Sequence, residues 1–303
     1  MVAPNRPFRR RVRKVTLLAT RFAKGHMHRR SVSLVALLVV TLTPGACATS
    51  RRGGDAEREL RVLVYNIHAG KDAAGVDNLE RVGALVREVD ADIVLLQEVD
   101  RGTTRSGGVD QPAQLERLGG RHAAFGRTLD YQGGEYGIAV LSRWPVAEQA
   151  VAPLKVEPPQ ARSGGSYEPR GALRVTVTAP WGTLRIVNTH LDASREDRWR
   201  AQEVRGVLAV ADSMKARGGL LLVGGDFNSE PASAVQAELR RGGFRDAWAE
   251  CGRGDSLTYP ADRPVKRIDY LYLIGAVRCV EARVLESQAS DHRALFVRVV
   301  RRD

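Results

Sequence analysis

Three things are scarce in this chain. No Asp or Glu precedes Asp55, only 3 Cys occur in 303 residues, and no apolar run reaches the roughly 18 to 20 residues that a membrane-crossing helix needs. The missing acids make the charge lopsided: residues 1–60 carry 13 Lys and Arg against 3 Asp and Glu, leaving 34 against 32 for residues 61–303. Of the formal net charge of +12, +10 therefore sits in residues 1–60 and only +2 in residues 61–303, which argues against a large basic nucleic-acid-binding face on the folded part. With Cys47 set aside, Cys251 and Cys279 permit at most one bridge, and spacing alone leaves a disulfide and two reduced core thiols equally open. The four Trp (144, 181, 199, 248) are scattered, so they read as core or rim residues rather than as a base-stacking platform. What is present, 43% hydrophobic residues with 30 Gly and 13 Pro, is ordinary globular composition.

Arg29 and Arg30 precede an apolar stretch at residues 32–42, followed by Thr43, Pro44, Gly45, Ala46 and Cys47. Basic, apolar, small is the order of a secretory signal. The small pair before Cys47 is similar to a lipobox, whose Cys is acylated and becomes the mature N-terminus, although Pro44 stands where Leu is preferred. Residues 1–59 are expected to be an export signal and linker. Its outcome is either membrane anchoring through Cys47 in the cell envelope or plain cleavage and secretion. Met27 is an alternative start, since the basic stretch before it is long for a leader.

The remainder alternates between periods of 2 and 3.6. Strands are expected at residues 60–67, 93–96, 136–141, 171–178, 183–190, 220–223, 267–273, 278–285 and 294–300. Helices are expected at 78–89, 111–118, from Ser194 to about Lys215, and at 232–240. Ser194 followed by Asp197 suggests a capping arrangement, and Gly218 and Gly219 close the long helix. Residues 147–169, rich in Pro, Ser and Gly, read as a long loop at the rim of a site. Residues 179–182 give a hairpin, so the sheet is mixed. With no repeat and no second linker, residues 60–303 are expected to form one α/β domain, two sheets face to face with helices outside.

Strand after strand ends in a carboxylate, amide or imidazole: Asn66 and His68, Gln97 and Glu98, Asn188 and His190, Asp226 and Asn228. Asp269 lies in a further strand, and Asp291 and His292 precede the last one. A single Asn or Asp after a strand is ordinarily a turn or cap residue. Six such segments together are not, because neighbouring strand ends converge and can share one cleft. Acid oxygens suit a hard cation such as Mg²⁺, and His beside Asp can move protons at neutral pH. Arg170 is open between a solvated edge residue and a phosphate contact, and His68 and His122 read as surface or structural residues.

The segments Tyr65-Asn66-Ile67-His68, Gln97-Glu98-Val99-Asp100, Asn188-Thr189-His190-Leu191, Gly225-Asp226-Phe227-Asn228, Arg267-Ile268-Asp269-Tyr270 and Ser290-Asp291-His292-Arg293 together resemble the endonuclease/exonuclease/phosphatase superfamily, on its deoxyribonuclease and neutral-sphingomyelinase side. The resemblance spans residues 60–300 and implies a four-layer α/β sandwich with the site at the strand ends. It implies a metal environment of Glu98, the principal ligand, with Asn66 and Asp291, for Mg²⁺ or Mn²⁺. His292, oriented by Asp269, would activate or electrostatically support an attacking water. Asp226 and Asn228 would position that water and the phosphate oxygens, and His190 would stabilise charge on phosphorus or assist the leaving oxygen. Arg170, in Glu168-Pro169-Arg170-Gly171, fits a motif of bacterial members and would contact phosphate. Ile138 stands where many relatives have Asn.

The expected reaction is metal-assisted phosphoester hydrolysis by in-line water attack, of phosphodiesterase type. The substrate stays open among a lipid headgroup, a small phosphate ester and nucleic acid. A secreted Mg²⁺-dependent endonuclease and an inactive phosphate- or lipid-binding module are the alternatives. Arg101, Arg105, Arg143 and Arg162 could build a local phosphate patch or be solvated loop charges.

Overall fold

A computed structural model describes residues 59–159, 168–180 and 182–302. The expected export signal with Cys47, and also Arg162 and Trp181, lie outside the described residues. In chain order the elements are β1 (Glu59–Asn66), α1 (Leu79–Glu88), β2 (Ile93–Arg101), α2 (Gln111–Gly119), β3 (His122–Tyr131), β4 (Gly134–Ser142), β5 (Val146–Leu154), β6 (Arg170–Ala179), β7 (Gly182–His190), α3 (Asp197–Lys215), β8 (Leu220–Asp226), α4 (Ala234–Arg241), β9 (Arg245–Asp246), α5 (Ala247–Cys251), β10 (Asp269–Ile274), β11 (Val277–Val284) and β12 (Leu295–Arg301). Among the described residues no helix is long and apolar enough to cross a membrane.

Alternation within the strands builds the layers. In β1, Leu60, Val62 and Val64 enter one apolar cluster while Leu63 and Tyr65 enter another. In β2, Ile93 and Leu95 divide from Val94 and Leu96 in the same way, as period 2 dictates for strands covered on both faces. The shared middle cluster also takes Leu173 and Val175 of β6, Leu184 and Ile186 of β7 and Leu271 of β10, so it lies between two sheets. One outer cluster packs Val82 and Val86 of α1 and Leu115 of α2 on the first sheet. The other packs Val204, Val207 and Met214 of α3 and Leu239 of α4 on the second. Helix, sheet, sheet, helix is the expected four-layer sandwich.

The sheets have the orders β11-β12-β1-β2-β4-β3 and β5-β6-β7-β8-β10-β9. At the centre of each lies a parallel pair joined through a helix, β1 with β2 and β7 with β8. Register sets Asn66 beside Gln97 in one pair and His190 beside Asp226 in the other. The polar strand ends are thus neighbours before any side-chain contact forms.

Several local expectations need correction. The stretch at 147–169 is not all loop, because β5 pairs antiparallel with β6 from Val146 to Leu154. β3, β9 and α5 were not foreseen. Ser194 does not cap α3: that helix begins at Asp197, and the Ser194 hydroxyl bonds to Asp192 instead. Cys251 of α5 and Cys279 of β11 form a disulfide with Cα atoms 5.7 Å apart.

Candidate active site

The backbone at the end of β2 is irregular. The ladder with β4 runs Leu96 opposite Ala139 and resumes at Val99 opposite Gly137, so two residues of β2 face one of β4. Glu98 adopts φ 54°, a left-handed conformation that costs a non-Gly residue energy and that a bulge uses to re-aim a side chain. Here it turns Glu98 into the pocket. Where the ladder breaks, Asn188 Nδ2 of β7 donates to the carbonyls of Leu96 and Ala139, both at 2.8 Å. Gln97 Nε2 donates to Asn188 Oδ1 at 2.7 Å. Asn188 is fully buried, so these bonds stitch the second sheet to the first behind the site.

Asn66 joins the carboxylates of both sheets. Its Nδ2 donates to Glu98 Oε1 at 3.0 Å and to Asp226 Oδ2 at 3.1 Å, while its Oδ1 accepts from the backbone N of His68 at 3.0 Å. The oxygen that the sequence reading offers to a metal is therefore turned to the backbone, and the amide nitrogen braces the two acids. Asp226 follows Gly225, which sits at φ 138° where a Cβ would come within 1.9 Å of Thr189 O. Only glycine lets β7 and β8 approach this closely. Asp226 Oδ2 lies 3.6 Å from His190 Nε2 and 3.7 Å from His292 Nε2. Its Oδ1 accepts from Asn228 N at 2.9 Å, and Asn228 Nδ2 donates to Leu191 O at 3.0 Å. His292 Nδ1 donates to Asp269 Oδ2 at 2.9 Å, which fixes the ring and leaves Nε2 facing the pocket.

The two imidazoles are driven in opposite directions. Burial, followed by the charges of Arg170 and His292, holds His190 well below the ordinary histidine range. Burial also disfavours charge on His292, but the Asp269 carboxylate outweighs it by charge and hydrogen bond, and with Asp226 and Asp291 lifts His292 to about 10. One ring favours imidazole and the other imidazolium, a division of roles that suits acid–base chemistry. Burial, and then the charge of Asp269, pushes Asp226 upward.

Of the nine expected residues, Glu98, Arg170, His190, Asp226, Asn228, Asp291 and His292 line one pocket of about 600 Å³. Asn66 and Asp269 stand behind it. Asp291 Oδ1 accepts from Ser290 Oγ at 3.2 Å and lies 3.9 Å from Nδ1 of His68, a half-exposed residue at φ 49°. Arg170 opens β6 with a side chain only 5% exposed, one nitrogen 3.0 Å from Glu168 Oε2, and Nε buried without a partner. The loop arginines are paired instead of gathered: Arg101 with Glu135, Arg105 with Asp100, and Arg143 with Asp92. Glu168, Ser194, Arg195, Arg200, Tyr259 and Lys266 also line the pocket, and the sequence does not mark them as site residues. A signal existed for one of them, since Arg200 falls on the buried, otherwise largely apolar stripe of α3.

The donor set fits a hard divalent cation. Glu98 and Asp226 converge on one amide, Asp269 Oδ1 is buried without a partner, and Asp226, Asp269 and His292 offer ligand atoms within 4.8 Å of one another. Asp269 and His292 already bond to each other, so the acids around Glu98 are the freer oxygens.

The sequence profile of the Endonuclease/Exonuclease/phosphatase family matches residues 63–292. The uncharacterized protein YbhP of Escherichia coli K12 is 28% identical over 226 residues, which cover 71% of this chain and 85% of YbhP. The crystal structure of an endonuclease/exonuclease/phosphatase from Beutenbergia cavernae superposes with a TM-score of 0.68 at 26% identity, over 81% of this chain and 72% of that one. A mannosyl-6-phosphatase of Bacteroides thetaiotaomicron superposes at 0.65 with 19% identity, over 80% and 99%, a likeness of fold. Members of the matched family are generally divalent-metal-dependent hydrolases of phosphoester bonds. By profile, sandwich architecture and the convergence of its polar strand ends, the chain belongs to the endonuclease/exonuclease/phosphatase family.

Proposed function

We propose that this chain is an exported, Mg²⁺-dependent phosphoester hydrolase of phosphodiesterase type, acting by in-line attack of water on a compact ester such as a lipid headgroup or a small phosphate ester. One observation carries the reading: Asn66 joins Glu98 to Asp226, and Asp226 faces both His190 and His292 in a single pocket. Glu98 would be the principal ligand of Mg²⁺, or of Mn²⁺ in its place, with Asp291 beside it, while Asn66 braces Glu98 and Asp226 through its amide nitrogen. The bound cation supplies charge neutralisation at the phosphoryl oxygens.

The side chains divide the remaining work. Asp226, held by Asn66 and Asn228, orients the attacking water and accepts its proton. His292 presents Nε2–H to a phosphoryl oxygen, with Asp269 holding the ring at Nδ1. His190, on the other flank of Asp226 and kept in its imidazole form by burial, stabilises the phosphoryl group or the leaving oxygen by hydrogen bonding. Arg170 and Asn228 contact the phosphate. The pairing of loop arginines and the near-neutral domain favour a compact ester over duplex nucleic acid. The mannosyl-6-phosphatase among the structural neighbours supports the small-ester side of that choice. Export is supported by the leader and by the Cys251–Cys279 disulfide, because such bonds persist in oxidising compartments. Anchoring through Cys47 belongs to the same proposal.

The test is a substrate panel of sugar phosphates, sphingomyelin, glycerophospholipids, a chromogenic diester and plasmid DNA, each with Mg²⁺ and with EDTA. Turnover of the diester and of at least one compact ester, lost in EDTA, is expected. Glu98→Ala and His292→Ala should fold and lose nearly all of it. Cleavage of DNA alone would make the chain a nuclease, and no turnover with any divalent metal would leave a binding module.

A further inference from the structure

A strap of chain, residues 258–261, ties together the backbones that carry Asp269 and His292. On one side, Thr258 Oγ1 accepts from the backbone N of Ile268 at 3.2 Å and of Asp269 at 3.4 Å. On the other, Thr258 O accepts from Arg293 N at 2.7 Å and Ala261 N donates to Asp291 O at 2.7 Å, so the main chain is pinned immediately before and after His292. Arg293 Nε adds a bond to Ala261 O at 2.7 Å. Between these anchors Tyr259 exchanges backbone hydrogen bonds with Lys266, its N donating at 3.0 Å and its O accepting at 2.9 Å. The Tyr259 ring lies 4.8 Å from the His292 ring, centroid to centroid, at 48°. It also lines the pocket, and among the described residues its hydroxyl has no hydrogen-bond partner.

We infer that Tyr259 is a positioning residue for His292, its ring covering one face of the imidazole and keeping Nε2 aimed at the phosphoryl oxygen. The inference rests on the part that His292 takes in the proposed hydrolysis. The hydrogen bond from Nδ1 to Asp269 Oδ2 anchors the imidazole at one edge only. Rotation of a ring about its last side-chain bond is soft, with broad wells, so a single edge contact leaves the opposite nitrogen room to swing. A face contact removes that freedom. Tilted ring pairs at this separation attract each other, and the strap denies the phenol ring any backbone motion independent of the pair it covers. The contact also shields: Tyr259 is partly exposed, whereas His292 is 4% exposed. The ring does this, since the hydroxyl bonds to no described group.

Turnover of a chromogenic diester with Mg²⁺ is compared for wild type, Tyr259→Phe and Tyr259→Leu on the full chain. Phe keeps the ring and should stay within about twofold of wild type. Leu should lower kcat about 10 to 10²-fold, the usual penalty for a displaced reacting group, with KM within about threefold. A second readout needs no substrate. The His292 Nδ1–H proton, hydrogen-bonded to Asp269, should give a resolved downfield NMR signal in wild type and Tyr259→Phe, and lose it to solvent exchange in Tyr259→Leu. Should Leu not fold, Tyr259→Met, flexible and without a ring, takes its place. Absence of a nuclear Overhauser contact between the two rings in wild type overturns the inference by itself. So does a Leu variant with wild-type kcat or an undiminished imidazole proton signal. A loss confined to KM would make Tyr259 a substrate contact, and a Phe variant as impaired as Leu would assign the effect to the hydroxyl; either overturns it too. Diester turnover by wild type alongside any of these results leaves the hydrolase reading standing and removes this one alone, whereas a wild type that turns over no ester removes both.

Discussion

Glu98 has two properties that pull against each other, a side chain aimed into an acidic pocket and a backbone at φ 54°. The conformation costs on the order of 1 kcal/mol or more, and the surrounding bonds hold it. Glu98→Gly should therefore melt no lower than wild type while losing turnover, which a thermal scan and a diester assay on one sample would establish. Asn188 is the opposite case, a residue with no exposed atom and a wholly structural set of bonds. Asn188→Ala leaves the carbonyls of Leu96 and Ala139 and the Gln97 amide unpaired in the interior. Its expected cost is about 3 kcal/mol, a fall in Tm of roughly 6 to 12 °C, measured by calorimetry. Asp269→Asn keeps the shape beside His292 and removes the charge that holds it. Turnover should drop about 10² to 10⁴-fold with an unchanged far-UV spectrum. These roles were unequally legible: an acid one residue past a run of four aliphatic residues, as at Glu98, has no cap or turn to explain it. Asn188 shows in sequence only as a polar strand end, and its bonding to the first sheet does not, because its partner Gln97 lies about 90 residues away.

At the level of elements, strands buried on both faces announced themselves as apolar runs, and those covered on one side did not. β5 exposes most of its residues and carries Pro153, tolerable because it is an edge strand, so it reads as loop. β3, also at an edge, mixes Gly, Arg and Asp into a partly exposed strand. The five residues of α5 are too few for a helical period to show. Ser194 misleads for a different reason: its spacing to Asp197 imitates a cap, but the nearer Asp192 takes its hydroxyl. Cysteine spacing was silent on whether Cys251 and Cys279 meet. Their bridge closes a sequence separation of 28 residues and ties α5 to β11, and neither cysteine lines the pocket. Reduction, or Cys279→Ser, should cost about 3 kcal/mol in chemical denaturation while leaving turnover of the native protein in place.

For the molecule as a whole, the contrast between strongly basic residues 1–60 and the near-neutral remainder bears on rate. A compact ester makes few phosphate contacts, so its kcat/KM should change little between roughly 50 and 200 mM salt. A duplex substrate would lose orders of magnitude over the same interval, and the two slopes separate the readings without knowledge of the natural substrate. The pocket itself is divided between the sheets. Asn66 and Glu98 arrive on β1 and β2, with Asp291 and His292 just before β12, whereas Arg170, His190, Asp226 and Asp269 arrive on β6, β7, β8 and β10. A chain diluted from denaturant can regain ellipticity while its halves are still apart, yet it holds no complete set of reacting groups until they dock. Recovered hydrolysis is thus a clock for the final assembly event, and either half expressed alone would be silent however well it folds.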